Sequence, residues 1–521
     1  MATHARRPDH QVVIIGSGFA GLGMAIRLSQ AGCHDFVVLE KADEVGGTWR
    51  DNTYPGCACD VQSHMYSFSF EPNPSWSRMF AEQPEIWAYL RRCVDKYSLR
   101  PHIRFRSEVT GCAFDEAEGL WRVSVADGRV LTARVVVAGL GPLHVPALPN
   151  VPGLDRFQGT TFHSSRWDHD YDLAGKRVAV IGTGASAIQF VPRIAQQVGQ
   201  LHLFQRTPPW IMPKPDRVMS PLERRVFQRL PFVQRLYRDA IYWQLESRIL
   251  GFNVDKRLVR AAEALSRRHI ARQIPDDPEL RAAVTPTYTL GCKRVLISDD
   301  YYPALTRPNV ELVTSGIREV RERSVVTADG VEREVDAIIY GTGFRVGDVS
   351  SLNIVGLGGV ELNDLWRREG MQAHLGVAIA GFPNLFMLVG PNSGLGHNSI
   401  VFMIEAQARY VLECLRLLDE RRARWMAVRP AVQREFNQRV QRRLGRSVWQ
   451  SGCESWYLDD QGVNRTLWPG FTFTYWLRTR RVREADYDLV TRASATPLDP
   501  VFGGRSAAVG DGAELVGAGR S

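Results

Sequence analysis

No stretch of this sequence is apolar for long enough to cross a bilayer. Its first hydrophobic run, Val12 to Ile15, stops at once in Gly16-Ser-Gly18. That is too short for the core of a signal peptide, so a cytoplasmic protein with no integral membrane segment is expected. Cysteine is sparse as well: Cys33, Cys57, Cys59, Cys93, Cys112, Cys292, Cys414 and Cys453. They show neither zinc spacing nor the density of a disulfide scaffold, so no metal site is expected and all are read as reduced thiols. Cys57 and Cys59 form a C-x-C pair, narrower than the usual flavin-linked dithiol. The net charge of +9 favours anionic partners, but no nucleic-acid motif accompanies it. With 44% hydrophobic and 23% charged residues, the rest is ordinary globular composition, with room for roughly two to four domains.

What the sequence does hold is one glycine signature twice. A β-branched run, Gln11 to Ile15, enters Gly16-Ser-Gly18-Phe-Ala20-Gly21, followed by a helical pattern to Gln30 and a strand from Phe36 to Leu39. In such a unit Gly16 makes the tight turn, Gly18 lets backbone approach a pyrophosphate, and Gly21 lets helix and strand pack closely. Pyrophosphate oxygens then sit on free N–H groups at the helix N-terminus. Glu40, 19 residues past Gly21, can accept both ribose hydroxyls of an adenosine. The second copy runs from the strand Arg177 to Ile181 through Gly182-Thr183-Gly184-Ala-Ser186-Ala187 to the strand Leu201 to Phe204. At the place of Glu40 it has Arg206, again 19 residues past the last small residue, with Thr207 beside it. A carboxylate repels a 2′-phosphate, whereas a guanidinium binds one through two hydrogen bonds. The first site therefore reads as FAD and the second as NADPH.

Two further segments carry chemistry. Gly46-Gly47-Thr48-Trp49 leads through Tyr54-Pro-Gly56-Cys57-Ala58-Cys59 to Asp60, with glycine for close contact and an aromatic face for a flat ring. Between the two nucleotide signatures lies Phe157-Gln-Gly159-Thr-Thr-Phe162-His163-Ser-Ser-Arg-Trp167-Asp168, too aromatic for a slack tether. This FxGxxxHxxxWD pattern and the GGxWxxxxYPGxxxD run resemble the two fingerprints of the type I Baeyer–Villiger monooxygenases, within the flavin-containing monooxygenase superfamily. The resemblance covers most of residues 10–480 and includes the Lys293-Arg294 pair.

That resemblance implies an α/β protein with two Rossmann-like domains, a glutathione-reductase-type flavin domain and an NADP domain, with a helical insertion. It also implies a reaction in which NADPH reduces FAD, oxygen adds to flavin C4a, and the deprotonated peroxyflavin attacks a ketone to give an ester or lactone. Arg294 would be the cation beside the reacting oxygen and Asp60 its carboxylate partner, with Lys293 and Arg206 on the NADPH phosphate. Ala20, Gly47, Thr48, Trp49, Asp51, Ala58, Cys59, Asp60, Tyr66, Val109 and Ile400 are expected around the cofactors, together with Thr183, Ser186 and Gln189. Phe157 and Trp167 would dock the connector, Gly159 would give it backbone freedom, and His163 would act as a structural hinge. The partners implied are a small ketone and O2, with neither nucleic acid nor metal; monomer and dimer both stay open.

The expected order is a FAD domain over 1–145, a connector over 146–176, an NADP domain over 177–212 and 286–343, and FAD domain again over 344–490. Residues 213–285 read as helical, with Trp243 among the apolar positions, and 415–447 as a basic helical stretch. Arg104 to Val109 reads as a strand, and 491–521 as a disordered tail. Two rivals stand beside this reading: an N- or S-oxygenating flavin monooxygenase, and a non-oxygenating flavoprotein that oxidises NADPH.

Overall fold

Short β-branched runs supply the strands, and glycines end them where a nucleotide has to come close. The computed structural model describes residues 7–253, 256–346, 352–491 and 500–502. His10–Ile15 lies near the middle of an eight-stranded sheet, parallel to Phe36–Leu39 on one side and Val130–Ala138 on the other. Val12, Val13 and Ile14 are wholly buried, as expected for a parallel strand covered on both faces. The antiparallel strands Leu120–Val125 and Val109–Asp115 extend the sheet, and Leu385–Met387 returns to pair with Val130–Ala138. The helices Phe19–Gln30 and Ile400–Glu420 pack against each other.

The second sheet has five strands, all parallel, in the order Val310–Val313, Gln200–Phe204, Arg177–Ile181, Ala337–Tyr340, Thr160–His163. Its last member comes from the fingerprint connector, whose centre is thus an edge strand. Two chain crossings join the sheets, and they run side by side. Ala147 donates its N–H to Gly343 at 2.9 Å and Arg345 to Val145 at 2.9 Å. Four helices, Pro221–Arg229, Pro231–Asn253, Lys256–Gln273 and Pro278–Val284, form the insertion.

Several expectations need correction. Cys292 and Cys453 form a disulfide with Cα atoms 6.2 Å apart across 161 residues, so the eight thiols are not all reduced; the other six are free and buried. Sequence spacing is blind to a pairing that tertiary contact creates. The stretch 104–109 is not one strand: Ile103–Arg104 pairs with Val38–Leu39, Arg106, at φ 50°, turns the chain away, and the next strand begins only at Val109. The stretch 415–447 is interrupted by the strand Trp425–Val428, antiparallel to Tyr487–Val490; its apolar run was hidden between arginines. Trp243 is 46% exposed. Gly159 is not in the left-handed region; a Cβ there would stand 2.5 Å from the Asp336 carbonyl oxygen. It serves close packing rather than freedom. Residues 492–499 and 503–521 of the expected tail lie outside the described residues, while Phe502 donates its N–H to Asp419 at 3.1 Å. Among the described residues no helix is long and apolar enough to cross a membrane, and no group of side chains is arranged for a metal.

Candidate active site between two nucleotide cradles

The first cradle is made of backbone. A Cβ on Gly21 would lie 1.8 Å from the Gly16 carbonyl oxygen, so only glycine permits this strand–helix junction. Gly18 caps the helix Phe19–Gln30 with no side-chain bond, and Gly47, at φ +52°, comes so close that a Cβ on it would meet the Gly18 Cα at 3.1 Å. The helix N–H groups are thus open to an anion. Glu40 ends the neighbouring strand. Its carboxylate accepts Ser17 Oγ at 2.6 Å, the N–H groups of Ser17 at 2.9 Å and Ala42 at 3.0 Å, and Arg50 Nη1 at 3.0 Å. Burial pushes its pKa up, but these hydrogen bonds and the Arg50 charge outweigh it, and the carboxyl stays ionised below its ordinary range.

The other residues expected at this cradle sit on several elements of the chain. Ala20 is buried on the first helix turn. Thr48, Trp49 and Asp51 form a one-turn helix, in which Asp51 pairs with Arg50 at 2.7 Å. Trp49 Nε1 donates to the Tyr66 hydroxyl at 3.1 Å. Val109 is buried where its strand begins. Ile400 opens the long helix behind Ser399, whose hydroxyl caps it.

In the second cradle a Cβ on Gly182 would stand 2.5 Å from the Gly341 carbonyl oxygen. The following helix, Ala187–Ile194, begins after Ser186 without a side-chain cap, again leaving donors for a phosphate. Thr183 Oγ1 donates to the Thr207 carbonyl at 3.4 Å. Arg206 is exposed and has no hydrogen bond or ion pair among the described residues. Lys293 is close enough to feel it: burial lowers the Lys293 pKa, and Arg206 lowers it further. Glu454 offsets this only in part, so the two neighbouring cations keep a net positive charge that suits a phosphate carrying two negative charges.

Gln189 and Ala58 turn out to join the two domains. Gln189 Oε1 accepts the Tyr54 hydroxyl at 2.9 Å and the Ala58 N–H at 3.2 Å, while its Nε2 donates to the Ala58 carbonyl at 3.0 Å. The Tyr54-to-Asp60 loop is thereby docked on the helix of the second domain. Cys57 and Cys59 are buried and unpaired; burial pushes the Cys57 thiol up to about 12, which removes the nucleophilic thiolate a redox pair needs.

The same loop delivers Asp60 to Arg294. Arg294 Nε and Nη2 donate to one oxygen of Asp60, Oδ2, at 2.9 and 2.6 Å. Sequence places these residues 234 positions apart, in different domains. Asp60 first, then the hydroxyl of Tyr457, raise the Arg294 pKa above its ordinary value, against burial. The guanidinium is therefore permanently charged. Tyr457 is buried, with its own pKa pushed up to about 12 by that burial; no motif had marked it. Cys453, four residues earlier, ties its loop to Cys292 beside Lys293.

His163 stands at the seam. Nδ1 accepts the Ser165 N–H at 3.1 Å, and Nε2 faces the Gly343 carbonyl at 3.0 Å. Trp167 packs on Phe162 and Phe190, ring centroids 5.1 and 5.2 Å away; Phe157 is partly buried against the second sheet, and Asp168 accepts the Asp170 and Tyr171 N–H groups in a turn. His397 is buried 3.6 Å from Glu246.

The family model for flavin-binding monooxygenase-like proteins matches residues 9–348. A Baeyer–Villiger monooxygenase of Pseudomonas aeruginosa is 54% identical over 491 residues, 94% of this chain and 92% of the relative. A second, of Streptomyces coelicolor, is 50% identical over 95% of this chain and 96% of its own. Among solved structures, cyclohexanone monooxygenase of Rhodococcus sp. Phi1 bound to NADP+ superposes with a TM-score of 0.84 at 30% identity, covering 94% of this chain and all of that one. Oxidized steroid monooxygenase bound to NADP gives 0.83 at 32%, covering 92% and 99%.

Proposed function

The chain belongs to the flavin-binding monooxygenase-like family, and from that premise we propose the roles of its residues in one reaction. The protein is an FAD- and NADPH-dependent Baeyer–Villiger monooxygenase that inserts one oxygen atom of O2 beside a ketone carbonyl. The bound flavin, reduced by NADPH, supplies the oxygen activation; orientation, charge and exclusion of water fall to the chain. The cradles fit both cofactors: uncapped helix N-termini and glycine-only contacts suit two pyrophosphates, and Glu40 against Arg206 suits a free ribose in one and a 2′-phosphate in the other.

The ion pair of Arg294 with Asp60 carries this reading. Attack on a ketone needs a deprotonated, nucleophilic oxygen, and a fixed guanidinium stabilises that form. Asp60 holds Nε and Nη2 through a single oxygen, and the buried Tyr457 hydroxyl lies against the same guanidinium, so the group is fixed in orientation beside the reacting oxygen. A protonated, electrophilic oxygen of the kind N- or S-oxygenation uses gains nothing from such a cation. Lys293, Arg206 and Thr207 hold the 2′-phosphate. His163 acts by positioning, through the crossings, and not by proton transfer.

We assign residues 1–145 and 344–490 to the FAD domain, 177–212 and 286–343 to the NADP domain, 146–176 to the connector and 213–285 to a cap over the cleft. NADPH supply ties the protein to the cytoplasm. The test is a panel of cyclic, linear and aryl ketones with purified yellow enzyme, NADPH and chromatographic detection of esters. Sulfoxide from a thioether with no ester from any ketone, or peroxide alone, would overturn the reading.

A further inference from the structure

The rim of the cleft carries an arginine to which none of these roles falls. Arg248 lies on the insertion helix Pro231–Asn253. One turn before it, Gln244 is reached by Gln62 Nε2 at 3.5 Å, two residues from Asp60. One turn after it, Phe252 fills the space beside Gly291, where a Cβ would meet its ring at 2.9 Å, three residues from Arg294. Residues four apart on a helix lie on one face, one above the other. Arg248 is therefore set between a contact to the Asp60 loop and a contact to the Arg294 loop. Glu246, on the far side of the helix, is engaged elsewhere, by Asn398 Nδ2 at 2.7 Å and Thr472 Oγ1 at 2.9 Å.

Arg248 is exposed and makes no hydrogen bond or ion pair among the described residues. Its surroundings nevertheless lower its pKa, with Asp60 opposing the shift and Arg294 adding to it, in keeping with a place beside that pair. Asp60 already gives Oδ2 to two nitrogens of Arg294. Two guanidinium groups thus face one carboxylate, and one positive charge lacks a counter-ion.

We propose that Arg248 selects the substrate by pairing with a carboxylate carried on the ketone, so that the preferred substrates are keto acids whose carbonyl lies at Arg294. The proposal rests on the Baeyer–Villiger reading for the reaction and adds the substrate class. A guanidinium and a carboxylate make two parallel charge-assisted hydrogen bonds, and the uncompensated positive charge beside Arg294 favours the anion further. A neutral ketone of the same length forgoes that pair.

The experiment uses the holoenzyme with laevulinate and its longer oxo-acid homologues, each beside its methyl ester, which keeps the ketone and removes the charge. At the best chain length the acid is expected to exceed its ester by about tenfold or more in kcat/KM. Arg248→Met should abolish that preference by raising KM for the acid alone, and Arg248→Lys should restore part of it. Equal kcat/KM for acid and ester in the wild type overturns the proposal. So does Arg248→Met slowing acid and ester alike, or raising only the KM for NADPH, since either places Arg248 on the reaction or the cofactor. Titration of the flavin absorbance with the acid reads binding without turnover. An acid-specific shift lost in Arg248→Met upholds carboxylate recognition even if no ketone is oxygenated, and then the reaction reading alone fails; no shift and no preference sinks the proposal.

Discussion

The carbonyl oxygen of Gly343 accepts a hydrogen bond from His163 Nε2 at 3.0 Å and another from the Ala147 N–H at 2.9 Å. One atom thus gathers the outgoing crossing, the returning crossing and the end of the edge strand Thr160–His163. The ring is held in one tautomer, because Nδ1 accepts from Ser165 and Nε2 must carry the proton; burial keeps it neutral by lowering its pKa. In the proposed reading this fingerprint histidine, tied to both connections, sets how the NADP domain sits over the flavin domain.

His163→Ala should therefore leave FAD bound and lower the ratio of ester formed to NADPH consumed, with peroxide making up the difference. His163→Gln, whose amide N–H can still reach the Gly343 carbonyl, should keep more of the coupling. Wild-type coupling in His163→Ala would reduce the residue to packing.

Arg294→Ala should lose almost all ester formation while FAD stays bound, since the pyrophosphate cradle lies at Gly16 to Gly21. Asp60→Ala should fall between that variant and the wild type, because the cation remains but loses the oxygen that orients it. Ester yield under saturating NADPH measures both. Full activity in Arg294→Ala would show that another group holds the reacting oxygen.

Arg206→Ala should raise the KM for NADPH and leave that for NADH nearly unchanged. The loss is about 1.5–3 kcal/mol, the worth of a hydrogen bond to a charged group. Equal use of the two nucleotides by the wild type would contradict the assignment of the second cradle.

Reduction of Cys292–Cys453, or Cys453→Ser, should destabilise the protein by about 2–4 kcal/mol, the usual contribution of a cross-link closing a long loop. It should also slow ester formation, because the bond tethers the loop of Tyr457 to the segment of Lys293 and Arg294. Thermal melts and turnover with and without a reductant test both; unchanged turnover in Cys453→Ser would confine the bond to stability.

Stability should decline as pH falls below neutrality. Burial lowers the pKa of His64 and of His374 from 6.5 to about 4. Above 6.5 both states are neutral and stability is complete. Between 6.5 and 4 the unfolded chain takes the protons and the folded one does not, so stability is lost as the pH drops, by on the order of a few kcal/mol for the two together. His374 has no hydrogen-bond partner on either ring nitrogen among the described residues and packs on Phe436. His374→Phe should therefore flatten the profile in denaturant titrations between pH 7 and pH 5, and an unchanged slope would remove His374 from the cause.

Sequence by itself determined the two cradles. Strand, glycine turn and helix are local, and Glu40 and Arg206 fall at equal distances from them, so the chemistry of each nucleotide could be read without coordinates. The candidate catalytic pair could be named only through the resemblance, since nothing local joins Asp60 to Arg294 across 234 positions. Tertiary structure alone brought Tyr457 and Arg248 to that pair, joined Cys292 to Cys453, and turned Gln189 and Ala58 into a contact between domains. It also made the centre of the connector an edge strand, because Thr160–His163 finds its register against Ala337–Tyr340. Such contacts depend on where distant segments meet, and a sequence pattern records only what near neighbours along the chain require of each other.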